Sequence, residues 1–427
     1  MFSATQLSGR AKRAGGQPIS RLMTLALADP TLISLAAGFV DQQTLPVEIT
    51  AQAMEQVLSD PAEARATLQY GTTLGDARLR QQVLDRLRHA DGNPEAERKL
   101  SIDQVVLTAG SNQLLYLVAD ALLDPGDIVL CATPTYFVFL GVLDNLSARA
   151  WGIATDAEGI IPAAIDEQLR HLERRGELGR VKAIYVTSYF DNPTSVTLSA
   201  PRRAELVKLV ERWSRTSKIY LIEDAAYRPL RYAGDDLPSL RSYDTTGETV
   251  IAAETFSKSF APGIRVGWGI LPPALVEPVA SLKGNFDFGS PHLNQRLMSA
   301  VLEMGLLEEH IARLKSGYQR KLAAMLAAAD AFLTDIPGVH WRHPSGGLYV
   351  WLVLPPGLNA GMEGALWKRA LAEHVMYVPG EFCFASKGHP VERNTMRLSF
   401  GVQQPDRIHD GIEALSRAIR QVLADGG

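Results

Sequence analysis

A lysine that lies beside hydroxyl side chains and precedes an arginine is the feature of this chain best suited to chemistry. Lys258 follows the apolar run of residues 249–255 (TVIAAET), and Arg265 comes shortly after it. Burial disfavours the charged form of an amine, which lowers its pKa and makes it more nucleophilic. Such an amine suits a Schiff base with an aldehyde cofactor. The alternative is an exposed lysine on a βα loop, so the neighbouring motifs must decide.

Two segments carry groups that suit a phosphate. Gly110 and the pair Ser111-Asn112 follow the apolar run of residues 105–108 and open a helical pattern. Free backbone N–H groups at the start of a helix, with a hydroxyl beside them, can bind an anion. An ordinary βα turn is the alternative. Near the lysine, the further anion-binding groups are Thr255, Ser257 and Arg265.

An aromatic ring and an amide follow two other apolar runs. Tyr136 comes after residues 128–131, and its ring could cover a flat ligand by stacking. Asn192 comes after residues 183–187, and its amide could donate to a phenolate oxygen. A tyrosine that packs in the core and an Asn-Pro turn are the respective alternatives.

A carboxylate, Asp224, follows the apolar run of residues 219–223. Burying a carboxylate is costly unless it is hydrogen-bonded or paired with a positive group, and a protonated pyridine nitrogen is such a group. A helix N-cap is the alternative role. In combination, these strand ends supply a phosphate site, a stacking ring, an amide, a carboxylate and a lysine. That set predicts a site for pyridoxal 5′-phosphate (PLP).

The elements that must position these groups alternate between strand and helix. The short apolar runs are typical of strands buried on both faces. Residues 206–213 carry an amphipathic helical pattern, and Ser199 is placed to cap that helix. This alternation predicts an α/β fold with a mostly parallel central sheet between helices. We predict a large PLP-binding domain over residues 46–298 and a smaller α+β domain formed by residues 1–45 and 299–427.

Composition limits the classes of function that remain. The chain has 427 residues, a net charge of −4 and two cysteines, Cys131 and Cys383. The mild acidity and the lack of a basic stripe argue against nucleic acid as a partner. The chain has no apolar run near the roughly 20 residues of a membrane span, and its start lacks the apolar core of a secretory signal. Two cysteines imply no disulfide framework, so we expect a cytoplasmic protein, and no metal site is expected.

The order of these motifs resembles class I/II, fold type I aminotransferases. The motifs are Tyr70-Gly71, Gly110-Ser111-Asn112, Pro134-Thr135-Tyr136, Asn192-Pro193, residues 224–227, Ser257-Lys258 with Arg265, and Arg397. The chain looks most like the branch that contains 2-aminoadipate and kynurenine aminotransferases. The segments that carry this likeness are residues 261–268 (APGIRVGW), 344–351 (PSGGLYVW) and 378–382 (VPGEF). The similarity extends from about residue 19 to residue 420.

The resemblance implies a role at the PLP ring for several of the candidates. Lys258 would be the Schiff-base lysine and would move a proton between the substrate Cα and the C4′ atom of the cofactor. Asp224 would bind the pyridine nitrogen. Asn192 and Tyr227 would hold the ring oxygen, and Tyr136 would stack on the ring.

The resemblance also implies how phosphate, substrate and a second subunit are bound. The phosphate would be held by Ser111, Asn112, Thr255, Ser257 and Arg265. Tyr70 would reach the phosphate of a neighbouring subunit, which implies a homodimer with shared active sites. Arg397 would take the substrate α-carboxylate in a two-pronged bond, and Asn192 would also face the substrate. Gly38 would let the backbone approach it closely.

The chain departs from the family pattern at three places. Ser195 replaces the usual glycine after Asn192-Pro193-Thr194, which requires either a backbone without a strongly positive φ or strain. The usual proline before Asn192 is missing, and residues 188–190 (SYF) lie in its region. Ser20 lies where relatives that accept a distal carboxylate often carry an arginine, with Arg21 one position on, so aminoadipate-type specificity is not expected.

The predicted reaction moves the amino group of an L-α-amino acid to a 2-oxo acid, with 2-oxoglutarate as the expected acceptor. The altered segment of residues 188–195 keeps other PLP reactions open: β- or γ-elimination, decarboxylation, or oxygen-dependent oxidation. A non-catalytic PLP-sensing module of a transcription regulator is a further alternative. It is disfavoured because such chains place a DNA-binding domain ahead of a similarity that here begins by about residue 19. An apolar substrate pocket or plain core packing would each explain the aromatic residues Phe39, Tyr70, Phe286 and Phe288.

Overall fold

A computed structural model of the chain describes residues 7–14, 18–36, 38–93, 100–215 and 217–426. The segment of residues 1–45 that was assigned to the small domain therefore lies partly outside the described residues. None of the helices within the described ranges is long and apolar enough to cross a membrane.

Helices and strands alternate through the middle of the chain. The helices are α1 (Gly9–Arg13), α2 (Pro18–Ala28), α3 (Val47–Ser59), α4 (Pro61–Thr67), α5 (Ala77–Asp91), α6 (Ser111–Leu122), α7 (Phe137–Asn145), α8 (Pro162–Arg174), α9 (Ala200–Trp213), α10 (Pro273–Asp287), α11 (His292–Glu303), α12 (Leu306–Phe332), α13 (Ala365–Ala372) and α14 (Pro405–Ala424). The strands are β1 (Ile33–Ser34), β2 (Val105–Thr108), β3 (Ile128–Thr133), β4 (Arg149–Asp156), β5 (Gly159–Ile160), β6 (Val181–Thr187), β7 (Tyr220–Asp224), β8 (Val250–Thr255), β9 (Gly267–Ile270), β10 (His340–Trp341), β11 (Tyr349–Val353), β12 (Val375–Met376), β13 (Val378–Pro379), β14 (Lys387–Gly388) and β15 (Thr395–Ser399).

The central sheet is mostly parallel, as the sequence predicted. Its strand order is β14-β4-β3-β6-β7-β8-β9-β2, and β5 pairs with β4. Strand β9 runs antiparallel to both β8 and β2, so β2 runs in the same direction as β8. The carboxyl ends of β2, β6, β7 and β8 therefore meet at one edge of the sheet, where ligands of α/β folds bind.

Apolar residues cover both faces of this sheet, which is why its strands read as unbroken apolar runs. On β3, Val129 and Cys131 pack against one set of helices that includes α6, α7 and α10. The alternate residues Ile128 and Leu130 pack on the other face, against α8 and α9. The result is a sheet between two helical layers, which confirms the predicted α/β class.

A second, antiparallel sheet has the order β10-β11-β15-β13. It packs with α12 and α14 in a core that includes Leu352, Leu398 and Ile412. Strand β15 carries Arg397, which lies opposite Trp351 of β11 and Val378 of β13. This sheet thus carries Arg397, a charged site candidate that lies outside the central sheet.

The start of α9 differs from the prediction made for it. Ser199 occupies the N-cap position of α9, but its hydroxyl has no hydrogen-bond partner in the described part of the chain, so the predicted side-chain cap is wrong. Pro201 lies in the first turn and lacks one of the N–H groups to which a cap would bind.

The domain boundary expected between residues 298 and 299 falls inside α11.

Candidate active site

A cavity of about 260 Å³ lies at the carboxyl edge of the central sheet. Its lining contains Gly38, Ser111, Asn112, Tyr136, Asn192, Asp224, Tyr227, Thr255, Ser257, Lys258 and Arg265, all of them candidates from the sequence. Phe39 and Thr187 also line it. Groups that are far apart in sequence thus converge on one space, because the strands that precede them end at the same edge.

Lys258 lies just beyond the end of β8 and is partly buried. Its amine donates a hydrogen bond to the carbonyl oxygen of Gly38 over 2.8 Å. Burial lowers the pKa of the Lys258 amine, and the positive charges of Arg397 and Arg265 act in the same direction. A lowered pKa makes the neutral, nucleophilic form of the amine more accessible.

Asp224 is the last residue of β7 and is buried. Its carboxylate accepts a hydrogen bond from the hydroxyl of Tyr185 (2.9 Å) and another from the backbone N–H of Ala226 (3.2 Å). Burial raises the pKa of Asp224 to about 6. The residues after it form turns, so the helix N-cap alternative is wrong. The described residues supply Asp224 with neutral donors only, and a cationic ring nitrogen would complete its surroundings.

Asn192 links the cavity to the second sheet. Its side-chain oxygen accepts a 2.8 Å hydrogen bond from Nη1 of Arg397, and Nη2 of Arg397 donates to the carbonyl oxygen of Ala36, also over 2.8 Å. Because the oxygen of Asn192 is engaged, its amide N–H groups are the ones left for a ligand. Arg397 is buried, and its Nε has no partner within the described residues.

The turn that carries Asn192 keeps a left-handed backbone although serine replaces glycine. Ser195 has φ +57° and Phe190 has φ +46°. A left-handed conformation costs roughly 1–3 kcal/mol for a residue other than glycine. Ser195 offsets part of this cost, because its hydroxyl donates to the carbonyl oxygen of Tyr349 over 2.8 Å. The sequence left two possibilities for Ser195, a backbone without a strongly positive φ or a strained one, and the structure has the strained backbone. The side chain of Asn192 still contacts Arg397.

The open end of the cavity carries the candidates for phosphate binding. Arg265 is exposed and donates to the carbonyl oxygen of Ala109 over 2.6 Å. Gly110 has φ +90°, and a Cβ there would lie 2.5 Å from the Arg265 guanidinium. Gly110 has no side chain to cap α6, so the N–H groups of Ser111 and Asn112 remain for an anion.

Two of the candidates do not line this cavity: Arg397, which contacts its lining through Asn192, and Tyr70. Tyr70 is 80% exposed, and its ring meets the edge of Phe288 at 5.5 Å between ring centroids. Phe286 and Phe288 are exposed as well. Of the four aromatic residues considered for a substrate pocket, Phe39 alone lines the cavity.

Three aromatic residues at the site were not among the site residues predicted from the sequence. Tyr185 donates to Asp224 from the neighbouring strand β6. Tyr349 hydrogen-bonds Tyr227, with 3.0 Å between the two hydroxyl oxygens, and its ring lies 4.2 Å from the Arg397 guanidinium. Phe137 approaches the same guanidinium at 5.5 Å. Each contacts a residue distant in the chain, so the local sequence does not predict its role.

The donors and acceptors present fit PLP. The closed end offers a carboxylate that lacks a cation, the middle offers an amine and an amide N–H, and the open end offers backbone N–H groups and a guanidinium. These groups match, in order, a ring nitrogen, an aldehyde with its adjacent ring oxygen, and a phosphate.

Comparisons with known proteins agree with this set. The family model "Aminotransferase class I and II" matches residues 30–415. Aromatic-amino-acid aminotransferase 1 of Thermococcus litoralis is 33% identical, over 92% of this chain and 89% of that protein. The structure of the kynurenine aminotransferase of Pyrococcus horikoshii superposes with a TM-score of 0.89 at 31% identity, covering 98% of both chains. The structure of the alpha-aminoadipate aminotransferase of Thermus thermophilus, complexed with N-(5′-phosphopyridoxyl)-L-leucine, gives a TM-score of 0.85 at 30% identity, covering 99% of this chain and 100% of the other.

Proposed function

Because this chain belongs to the class I and II aminotransferases, which depend on PLP, we propose that the Lys258 cavity is the catalytic site of a transaminase. The observation that carries the proposal is the convergence of Lys258, Asp224 and Arg265 on one cavity of about 260 Å³. Lys258 supplies an amine to this cavity, Asp224 a carboxylate and Arg265 an anion-binding guanidinium.

PLP, when bound, supplies an aldehyde that takes up the amino group and a ring that withdraws electrons from the substrate Cα. The protein supplies everything else. Lys258 is the amine that links to the aldehyde, and in its free form it carries the proton between Cα and C4′. Its lowered pKa makes the neutral amine, the form that accepts a proton, more accessible. Asp224 keeps the ring nitrogen protonated, because a buried carboxylate favours a cation beside it.

The remaining cavity residues orient the cofactor. Asn192 and Tyr227 would donate to the ring oxygen, and Tyr136 would cover one face of the ring. The phosphate is bound by Ser111, Asn112, Thr255, Ser257 and Arg265. These five residues lie around the open end of the cavity, where a helix N-terminus and a guanidinium favour an anion.

Arg397 binds the α-carboxylate of the amino acid and, in the return reaction, that of the oxo acid. Its guanidinium is buried at the side of Asn192, and a carboxylate can take a two-pronged bond there. Gly38 borders the cavity and leaves room for the substrate, since it lacks a side chain.

The proposed donor is an amino acid with an aromatic or apolar side chain, and the proposed acceptor is 2-oxoglutarate. Phe39 lines the cavity, which favours an apolar donor. Ser20 is exposed on α2 and offers no charge for a distal carboxylate, so aminoadipate is not the proposed donor. The relatives named for aromatic amino acids and kynurenine support the same class.

The proposed active unit is a homodimer in which Tyr70 reaches the phosphate of the partner subunit. Tyr70 is 80% exposed, and Phe288, whose ring meets it, is exposed as well, which is costly for aromatic rings in a monomer. Arg265 and Asn112 are exposed at the open end of the cavity, where a partner residue has access.

We also propose a cytoplasmic location and two structural units. Cys131 and Cys383 are both free and buried, which suits a reducing compartment. The proposed units are a PLP-binding one over residues 46–298 and a smaller one over residues 1–45 and 299–427. Limited proteolysis with mass spectrometry of the products would test that division.

The function is tested by recording the visible spectrum of PLP-loaded protein while L-amino acids are added one at a time without oxygen. The expected result is loss of the yellow colour with an aromatic or apolar amino acid and its return on adding 2-oxoglutarate. Release of ammonia, CO₂ or peroxide without a need for an oxo acid would instead indicate elimination, decarboxylation or oxidation. A wild-type protein that never turns yellow with PLP would contradict the proposed role of the cavity.

A further inference from the structure

Tyr349 touches both the ring-oxygen side of the cavity and the arginine proposed to bind the substrate carboxylate. It opens strand β11 and is 1% exposed. Its hydroxyl lies 3.0 Å from the hydroxyl of Tyr227, and the two rings meet at 74°. The Arg397 guanidinium lies 4.2 Å from its ring centre. Tyr349 therefore contacts two residues of the site that do not hydrogen-bond each other.

The chemistry of two phenols restricts the direction of the hydrogen bond between them. Each hydroxyl has a single proton to donate. If Tyr227 donates its proton to the ring oxygen of the cofactor, it has none left for Tyr349, and Tyr349 must be the donor in the pair. A hydroxyl that receives a hydrogen bond becomes a stronger donor itself.

The ring of Tyr349, unlike its hydroxyl, contacts the Arg397 guanidinium. The Arg397 guanidinium contacts the rings of Tyr349 and Phe137, at 4.2 and 5.5 Å from their centres. Two of its nitrogens are fixed by Asn192 and Ala36. The stacked ring keeps the guanidinium plane oriented, because cation–π contacts favour this arrangement.

We infer that Tyr349 is a positioning residue whose hydroxyl sets the direction of the Tyr227 hydrogen bond and whose ring orients Arg397. This inference rests on the proposed function and deepens it, since it joins the cofactor-ring and substrate-carboxylate ends of one site through a single side chain. The backbone of Tyr349 is held in turn by the hydroxyl of Ser195, so the turn of Asn192 is tied to the same strand.

The hydroxyl has a measurable consequence in the cofactor-loaded protein. With the cofactor bound, its ring oxygen would be negative and would favour the protonated form of the Lys258 nitrogen beside it, so donors to that oxygen would favour loss of the proton. Loss of the Tyr349 hydroxyl weakens the donor Tyr227. The pH midpoint of the colour change should therefore rise.

The test compares Tyr349→Phe, Tyr349→Leu and the control Tyr377→Phe. Tyr377 is a buried tyrosine whose hydroxyl donates to the carbonyl oxygen of Ala360, outside the site. In a pH titration of the visible band, Tyr349→Phe should raise the midpoint by about half a pH unit, because one indirect hydrogen bond is lost. Tyr377→Phe should leave the midpoint unchanged.

Kinetics separate the hydroxyl from the ring. Tyr349→Phe retains the ring over Arg397, so KM for the amino acid should stay within about twofold while kcat falls about three- to tenfold. Tyr349→Leu should in addition raise KM about tenfold, since a stacked contact with the carboxylate-binding arginine is lost.

The outcomes distinguish this inference from the proposed function. A wild-type protein without a coloured band would contradict the proposed function itself. If the wild type is coloured and Tyr349→Phe has the same pH midpoint of the visible band, the role of the hydroxyl is overturned, while the proposed function is not. Equal KM values for Tyr349→Phe and Tyr349→Leu would overturn the role of the ring.

Discussion

The central sheet and the four-stranded sheet both supply charged side chains to the site, but they do so in different ways. Asp224 and Lys258 follow adjacent parallel strands, β7 and β8, and reach the cavity because those strands end at one edge. Arg397 lies within strand β15 of the other sheet and reaches the site through hydrogen bonds to Asn192 and Ala36. One contribution is fixed by topology, and the other by contacts across the two sheets.

This difference separates the residues suited to bind the cofactor from those suited to bind the substrate. The strand ends of the central sheet hold groups suited to the cofactor, and their positions follow from the parallel pairing of β6, β7 and β8. The substrate side depends on the fit between the sheets at Arg397, and the Tyr349–Tyr227 pair joins that side to the cofactor side. Changes at the central-sheet side should therefore abolish chemistry, and changes between the sheets should weaken or shift it.

The largest expected effect is at Lys258. Lys258→Ala removes the amine that links to the cofactor and carries the proton, so kcat should fall by about 10⁴-fold or more. Transaminase assays would measure this fall. The exposed Lys208→Ala on α9 is the matched control and should retain activity. A Lys258→Ala protein with near wild-type kcat would contradict the assignment.

The second effect concerns the other sheet. Arg397→Gln should raise KM for amino acid and oxo acid by about 10²-fold, because a two-pronged charged bond to the carboxylate is lost. The visible band of the PLP-loaded variant should persist, which separates this residue from the cofactor side. Arg420→Gln, which breaks an exposed pair with Asp335, serves as the control. Loss of cofactor binding in Arg397→Gln would break the proposed division between the two sheets.

The third effect is on stability without cofactor. The pKa of Asp224 is raised from 3.8 to about 6 by burial, so the folded protein binds the proton more tightly than the unfolded chain. The stabilisation by this proton is full below pH 4 and disappears as the pH rises through 6. It amounts to about 3 kcal/mol.

Asp224→Asn should therefore be more stable than the wild type above pH 6 when both lack PLP, and the gap should close near pH 4. The asparagine oxygen can still accept from Tyr185. Thermal unfolding at a series of pH values measures the gap, and adding PLP should stabilise the wild type more than the variant. A gap that does not change with pH would show that Asp224 is not the titrating group.

The smallest effect is at Ser195, where two contributions oppose each other. Ser195→Gly relieves left-handed strain but loses the hydrogen bond to Tyr349, so the free energy of unfolding should change by less than about 1 kcal/mol. Ser195→Ala loses the bond and keeps the strain, and should destabilise by about 1 kcal/mol. Urea denaturation of both variants at one protein concentration gives the comparison. Equal stabilities would mean that strain at φ +57° contributes little.

The sequence predicted the part of the site that depends on strand ends. Residues 105–108 were expected as a strand and form β2, and the runs before Asp224 and Lys258 form β7 and β8 within a residue of their expected bounds. Buried parallel strands are visible as apolar runs, and polar residues just beyond them mark the ligand edge.

The rest depends on contacts between distant residues. Tyr349 lies in the segment of residues 344–351 that carries the family likeness and Tyr185 in an apolar run, but their partners Tyr227 and Asp224 lie far along the chain. For Ser195, the sequence could state the choice between strain and an altered turn, but not the contacts that accompany it, the hydrogen bond to Tyr349 and the close approach to Gly347. A local pattern carries no information about such neighbours.

The central claim, that Lys258 is the amine at the end of β8 to which the cofactor links, is tested most directly by chemical trapping. PLP-loaded protein is reduced with borohydride, digested and analysed by mass spectrometry to locate the pyridoxyl group. The account predicts one labelled peptide, with the label on Lys258 and none in the Lys258→Ala protein. A label on another lysine, or the same labelled fraction in Lys258→Ala, would contradict it.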